Sequence, residues 1–117
     1  MAPLPRLTRR AEFLRVAAAR RKFVAPGLIL QAAAGPISEG AAAWRVGFTA
    51  SRKVGNAVAR NRARRRLRAA SAEVLPTHAA GGNDLVLIAR STTLTRPYGS
   101  LVRDLEEGLR RLGIWRP

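Results

Sequence analysis

The sequence predicts a single α+β domain, one sheet packed with helices, and three observations carry that prediction. Residues 44–51 alternate at the two-residue period of a half-buried strand. Residues 85–89 form a continuous apolar run of β-formers, the pattern of a strand covered on both faces and therefore inside a sheet. Tyr98, Leu101, Leu105, Leu109 and Leu112 form one stripe at helical spacing. A chain of 117 residues has room for one core, and a hydrophobic content of 47% lets burial offset chain entropy.

Taken in order, Thr8 is placed to cap a helix running to about Arg20, with Phe13, Val16 and Ala17 near one face. Residues 22–25 and 28–33 read as extended, with Pro26-Gly27 as the bend between them and residues 34–40 as a loop. In the next strand Trp44, Val46, Phe48 and Ala50 face the core, while Arg45, Gly47, Thr49 and Ser51 stay wet. Gly55-Asn56 breaks the strand pattern and offers Asn56 as the cap of a helix reaching about Leu75, which Pro76 ends. Gly81-Gly82 gives a turn before the apolar strand, and the last helix starts near Pro97. On that helix Glu106 with Arg110 and Glu107 with Arg111 are four-residue pairs on solvated surface. The order is helix, strands, helix, strand, helix, with no internal repeat.

Charge narrows the function. Lysine and arginine number 22 against 7 acids, giving +15, and such a domain gains most by meeting a polyanion and releasing its counterions. Much of the basicity is arginine, whose planar fork binds phosphate bidentately and stacks on bases, which favours nucleic acid over a membrane surface. The absence of cysteine removes disulfides, thiolate nucleophiles and zinc knuckles and fits a reducing cytosol. The longest uncharged stretch, residues 23–38, is broken by Pro26, Gly27, Gly35 and Pro36 and falls short of the roughly 20 apolar residues that span a bilayer. The arginine-rich, acid-poor start has the composition of a transit peptide, but Glu12 and the early apolar pattern indicate folded, mature chain.

On a helical wheel Ala59, Ala63, Leu67, Ala70 and Val74 make an inward stripe of mostly small residues, so the middle helix can lie close on the sheet. Asn61, Arg64, Arg65 and Arg68 occupy another face, with Arg60, Arg62 and Arg66 on its flanks. An arginine-rich face is ordinarily just solvated surface. Here six arginines fall within nine positions and no acid lies between Arg52 and Arg68, so they repel one another until an anion arrives.

A protein active site is not evident. His78 is the only histidine and reads as a surface loop residue of a Pro-Thr-His segment. The acids Glu12, Glu39, Glu73, Asp84, Asp104, Glu106 and Glu107 are scattered, and the last three belong with arginines of the final helix. A two-metal nuclease needs clustered carboxylates, so no catalytic or metal-ligating residue is assigned and any hydrolytic chemistry is expected in a partner. Composition alone also suits a ribosomal RNA-binding or RNA-chaperone protein. A DNA-binding regulator is disfavoured because the arginine helix lacks a helix-turn-helix partner and leucine heptads.

Residues 45–68, and above all the core Gly55-Asn-Ala-Val-x-Arg-Asn-Arg-x-Arg-Arg65, closely resemble the signature of bacterial ribonuclease P protein subunits. Arg6-Leu7 with Glu12-Phe13 is similar to that family's opening helix, and residues 84–90 resemble its late apolar strand, so the resemblance spans about residues 6–112. It implies an αβββαβα fold with a mostly four-stranded sheet and a left-handed βαβ crossover, a hand that general rules disfavour. It implies a protein cofactor of a catalytic RNA that removes the 5′ leader of precursor transfer RNA. The partners would then be ribonuclease P RNA and precursor transfer RNA, with no protein or membrane partner implied. Mg2+ would be required by the RNA-based holoenzyme, with no cofactor held by the protein. By matching position, Lys53, Asn56, Arg60, Asn61, Arg62, Arg65 and Arg68 would contact RNA, and Arg52 and Arg64 join them on the same charged segment. The leader would lie in a cleft between the first helix and the sheet, at Phe13, Ile29, Gln31 and Phe48, where an aromatic ring suits any base. Ala17 and Gln31 stand where relatives often carry aromatic residues, which shifts leader contacts toward Phe13, Phe48, Ile29 and hydrogen bonding.

Overall fold

Alternation along the strands divides the sheet into two unequal faces, and each recruits different helices. The structure is a computed structural model that describes residues 4–35 and 44–117. Its elements are α1 (Arg10–Ala18), β1 (Arg21–Val24), β2 (Leu28–Ala34), β3 (Trp44–Thr49), α2 (Ala57–His78), β4 (Asn83–Ala89), a 3-10 turn (Ser91–Leu94) and α3 (Tyr98–Arg111). The strand order is β1-β2-β4-β3. β1 with β2 and β2 with β4 are antiparallel, whereas β3 and β4 are parallel and joined through α2. This is an α+β fold of the αβββαβα order, and the β3–α2–β4 connection is the crossover to which the left-handed expectation refers. Residues 36–40 of the expected loop lie outside the described residues.

The main core lies between the sheet and α2 with α3. Leu28, Leu30, Val46, Leu85 and Leu87 point into it from the strands, and Leu67, Leu75, Leu101, Leu105 and Leu109 meet them from the helices, all fully buried. β4 lies inside the sheet, as its unbroken apolar run requires. The inward stripe of α2 is buried at Ala63, Leu67, Ala70 and Val74, while Ala59 is half-buried. The opposite face carries a smaller cluster of Leu7, Val16, Ala33 and Val86 beneath α1, with Phe13 and Ile88 at its margin.

Several local expectations are corrected. α1 begins after Arg9, not Thr8: the Glu12 carboxylate accepts the backbone N–H groups of Thr8 (3.1 Å) and Arg9 (2.9 Å). It ends at Ala18, before Arg20, whose φ of 56° turns the chain, and Ala17 faces solvent. Pro76 does not end α2. A proline forfeits only one donor, and the carbonyls that any helix end leaves open find partners here: the Arg116 guanidinium donates to Pro76 and Thr77 oxygens, and the Arg116 N–H to His78 oxygen at 2.7 Å. His78 therefore sits in helix rather than loop, stacked on Trp115 with ring centroids 4.1 Å apart. The second face of β3 is only partly wet: Phe13 of α1 covers Gly47, Arg45 and Thr49 are half-buried, and Ser51 is exposed. On α3, Tyr98 turns outward from the leucine stripe, and Glu106 forms no ion pair with Arg110 among the described residues. Asp104 pairs outside its helix, with Arg96 at 2.7 Å and the Gly27 N–H at 3.0 Å, so it ties the Pro26-Gly27 bend to α3.

Candidate nucleic-acid interface

The basic surface starts at the turn after β3. Val54 is buried and anchors this turn, leaving Arg52 and Lys53 exposed on the approach to α2. Gly55 has φ of +145°, a backbone state that disfavours any side chain, and a Cβ there would press to 2.9 Å from Ala59 Cβ. Asn56 then caps α2 through its side-chain oxygen, which accepts the Ala59 N–H at 2.9 Å. The Gly-Asn pair thus fixes where the helix begins and which way its arginines point.

Along α2, Asn61, Arg62, Arg65 and Arg68 are exposed, and Arg60 and Arg64 are half-buried. Arg64 donates to Asn61 Oδ1 at 2.7 Å, which steers both side chains along one ridge. Arg60 keeps an enclosed Nε that has no hydrogen-bond partner among the described residues. None of the ion pairs among the described residues uses an α2 arginine. Arg66 is the exception to the ridge: its guanidinium turns inward onto the carbonyls of Thr93 (3.0 Å), Leu94 (2.9 Å) and Arg96 and holds the 3-10 turn against α2.

One contributor, Arg6, is absent from the residues the sequence assigns to RNA contact, because it reads there only as part of the opening helix. The N-terminal segment runs along the free edge of β3, with the Val46 N–H donating to Pro5 oxygen and the Leu7 N–H to Val46 oxygen. That places Arg6 over the Phe48 ring, 4.9 Å from its centroid, while Arg68 reaches the same ring at 6.0 Å. Burial lowers the Arg6 pKa first, and the neighbouring Arg68 charge lowers it further. Two guanidiniums gathered at one ring make a position for an anion.

The four residues expected in one cleft do not lie together. Phe13, Ile29 and Gln31 lie on the α1 side, with Phe13 against Gly47 and Gln31 half-buried beside Lys22 and Val86 in the ladder. Phe48 faces the main core with Val46 and Trp44, because residues an even number apart on a strand share a face. The α1 side leaves a groove of ≈ 450 Å³ uncovered at the far end of β4, lined by Ile29, Ser51, Lys53, Ile88, Arg90 and Ser91. Arg90 also donates to Ala25 oxygen at 2.6 Å, which fixes it at the rim.

The acids are largely consumed by structure. Asp84 is buried and receives Arg45 through Nε at 2.9 Å and Nη2 at 2.7 Å, and Arg15 as well, while Arg45 also reaches Glu12. The hydrogen bonds that Arg45 donates to Asp84 raise the Arg45 pKa, and the two backbone N–H groups of Arg9 and Thr8 that donate to Glu12 lower that of Glu12. This network clamps α1 to the sheet. Among the described residues no three His, Asp or Glu side chains converge as a metal site would require.

A family model described as Ribonuclease P matches residues 1–113. The chain belongs to the ribonuclease P protein family. It is 60% identical over 113 residues to the "Ribonuclease P protein component" of Paramagnetospirillum magneticum, covering 96% of this chain and 85% of that protein. It is 50% identical to the protein of the same name from Gluconacetobacter diazotrophicus, covering 93% and 91% of the two chains. Its fold is similar to that of the Staphylococcus aureus RNase P protein, with a TM-score of 0.76 at 21% identity over 97% of this chain and 100% of that one. The Thermotoga maritima RNase P protein is similar in fold too, with a TM-score of 0.71 at 21% identity over 92% and 94%.

Proposed function

We propose that this member of the ribonuclease P family is the protein cofactor of a ribonuclease P holoenzyme that matures transfer RNA, and that the holoenzyme's RNA carries the chemistry. The observation that carries this reading is the ridge at Arg62, Arg65 and Arg68, exposed and without ion-pair partners among the described residues. Arg52, Lys53, Asn56, Arg60, Asn61 and Arg64 extend the same surface toward the RNA subunit. Its energy is mainly counterion release, and the phosphates orient the protein without demanding a base sequence.

The uncovered groove at Ile29 and Ile88, rimmed by Lys53 and Arg90, suits the single-stranded 5′ leader of precursor transfer RNA: apolar floor for bases, cations for the backbone. Phe13 and Gln31 lie on the same side of the sheet but do not line it. Assigning hydrolysis to the RNA is supported by the fate of the carboxylates, since Glu12, Asp84, Asp104 and Glu107 are held by arginines. Mg2+ then belongs to the RNA, and the cytoplasm is the compartment where RNA and substrate meet. No described helix is long and apolar enough to cross a membrane.

The test is cleavage of a precursor transfer RNA by a bacterial ribonuclease P RNA at low Mg2+, with and without this protein. Added protein should restore cleavage at the mature 5′ end, and protein alone should cut nothing. Equal rates with and without it would sink the proposal.

A further inference from the structure

A second groove, of ≈ 520 Å³, opens on the outer side of α2 where α3 begins, lined by Arg65, Arg68, Ala69, Ala72, Glu73 and Tyr98. Its parts are unlike the rest of the ridge. Ala69 and Ala72 interrupt the arginines with a flat apolar floor. Tyr98 stands at one wall, 41% exposed, an aromatic ring left outside the leucine stripe of its own helix. Glu73 is the lone acid of α2, and its Oε2 accepts the Tyr98 hydroxyl at 2.7 Å.

An acid inside a phosphate-binding surface opposes that surface's main attraction, so whatever meets Glu73 cannot be phosphate. It has to be a donor. The tyrosine fixes the carboxylate and occupies one lone pair of Oε2, leaving Oε1 and the other lone pair of Oε2 to accept. Among the bases, guanine alone offers two adjacent donors, N1–H and the N2 amino group, in the parallel arrangement a carboxylate accepts. Adenine and cytosine set their amino group beside a ring acceptor, and uracil sets its N3–H between two carbonyls. A carboxylate repels those acceptors.

We propose that this groove binds one unstacked guanine nucleotide of the RNA partner. The base lies on Ala69 and Ala72 against the Tyr98 ring, its Watson–Crick edge meets Glu73, and its phosphates meet Arg65 and Arg68. The proposal rests on the RNA-binding reading above and adds a base preference to a surface that otherwise reads only phosphate.

The test uses the full chain and two single-stranded RNA hexamers, all-uridine and the same with one central guanosine, titrated by fluorescence anisotropy at fixed salt. Wild type should bind the guanosine hexamer roughly tenfold more tightly, the size of one good bidentate base contact. Glu73→Gln keeps an oxygen for Tyr98 but removes the charge and points an amide N–H₂ at the base, so the guanosine advantage should vanish while all-uridine binding tightens, both hexamers binding alike, and the melting temperature stays as in wild type. Ala72→Leu should abolish the same preference by filling the floor. Equal wild-type affinities, or a preference that survives Glu73→Gln, overturn the subsite while leaving RNA binding intact. A lowered melting temperature with the preference retained shows Glu73 to be only a tie between α2 and α3. Failure of both hexamers to bind even at low salt overturns the broader reading with it.

Discussion

The Phe13 ring rests on the backbone of Gly47, so closely that a Cβ at position 47 would clash with the ring carbons Cε1 and Cζ and also meet Leu7 Cβ at 3.3 Å. A strand glycine costs backbone entropy, and here its missing side chain is the seat for α1. Gly47→Ala should therefore destabilise the protein by roughly 1–3 kcal/mol through overpacking. Phe13→Ala empties the same seat, so the double variant should lose less than the sum of the single ones. Chemical denaturation of the four proteins reads the cycle, and strict additivity would show that the ring moves aside freely.

The two faces of α2 separate binding from folding. Leu67 is fully buried, and Leu67→Ala should cost roughly 2–5 kcal/mol of stability. Arg65 and Arg68 are exposed, and alanine is the better helix former, so replacing both should leave the melt unchanged or raised while RNA binding weakens. Each lost phosphate contact should flatten the plot of log affinity against log salt by about 0.7–0.9. An arginine variant that melts early yet binds normally would mean that the ridge belongs to the core.

Arg6 extends the same prediction to a residue outside the helix. Arg6→Ala should reduce RNA affinity and the salt slope much as Arg68→Ala does, without loss of stability, because its removal also relieves repulsion at the Phe48 ring. If both residues grip one phosphate, the double variant lowers the slope no further than either alone. Independent phosphates would give additive losses.

What the sequence made legible was what repeats locally. The strand at Trp44, the buried strand at Leu85 and the faces of α2 follow from periods of two and 3.6, which depend on neighbours in the chain. The expectation failed where a partner is remote. Asp84 meets Arg45 across 39 positions and Arg15 across 69, so acids that look scattered in the sequence converge on arginines in space. Arg66 shares the composition of the ridge, yet the carbonyls that claim it lie 27 to 30 residues ahead. Phe48 differs in kind, because its alternation with Val46 is local and by itself places the ring in the main core, away from the face that carries Ile29 and Gln31.

The network at Asp84 sets an acid limit for α1. Glu12 has a lowered pKa, from its backbone N–H bonds first, so its contribution is present above the ordinary glutamate value and disappears as pH falls through the lower folded value. Protection of the α1 amides from hydrogen exchange should fall in that window in wild type and be low at every pH in Glu12→Gln. Asp84→Ala should cost on the order of 2–4 kcal/mol, somewhat less than a fully buried pair, because Arg15 and Arg45 can still reach water. A pH-independent exchange profile would show that Glu12 does not hold the helix.

Tyr98 offers the most direct reading of a single hydrogen bond, because it is the only tyrosine in the chain and its phenolate absorbance has no competitor of its own kind. Partial burial, then the bond to Glu73 and that group's charge, push its pKa up to about 12. The sign is that of a raised acid: the folded state favours the neutral phenol, so the stabilisation is whole below the ordinary tyrosine value near 10 and is lost as pH rises toward 12. Absorbance titration of wild type should therefore show little phenolate at pH 11, where a free tyrosine is mostly ionised. Glu73→Ala removes both the acceptor and the negative charge and should move the midpoint down, leaving only the part due to burial. Glu73→Gln keeps an acceptor without the charge and should fall between the two. Helix content followed by circular dichroism on the same samples separates titration from unfolding, since an unfolded chain returns Tyr98 to about 10 whichever residue stands at position 73. Identical midpoints in all three folded proteins would mean that the Tyr98 hydroxyl does not bond to Glu73 in solution.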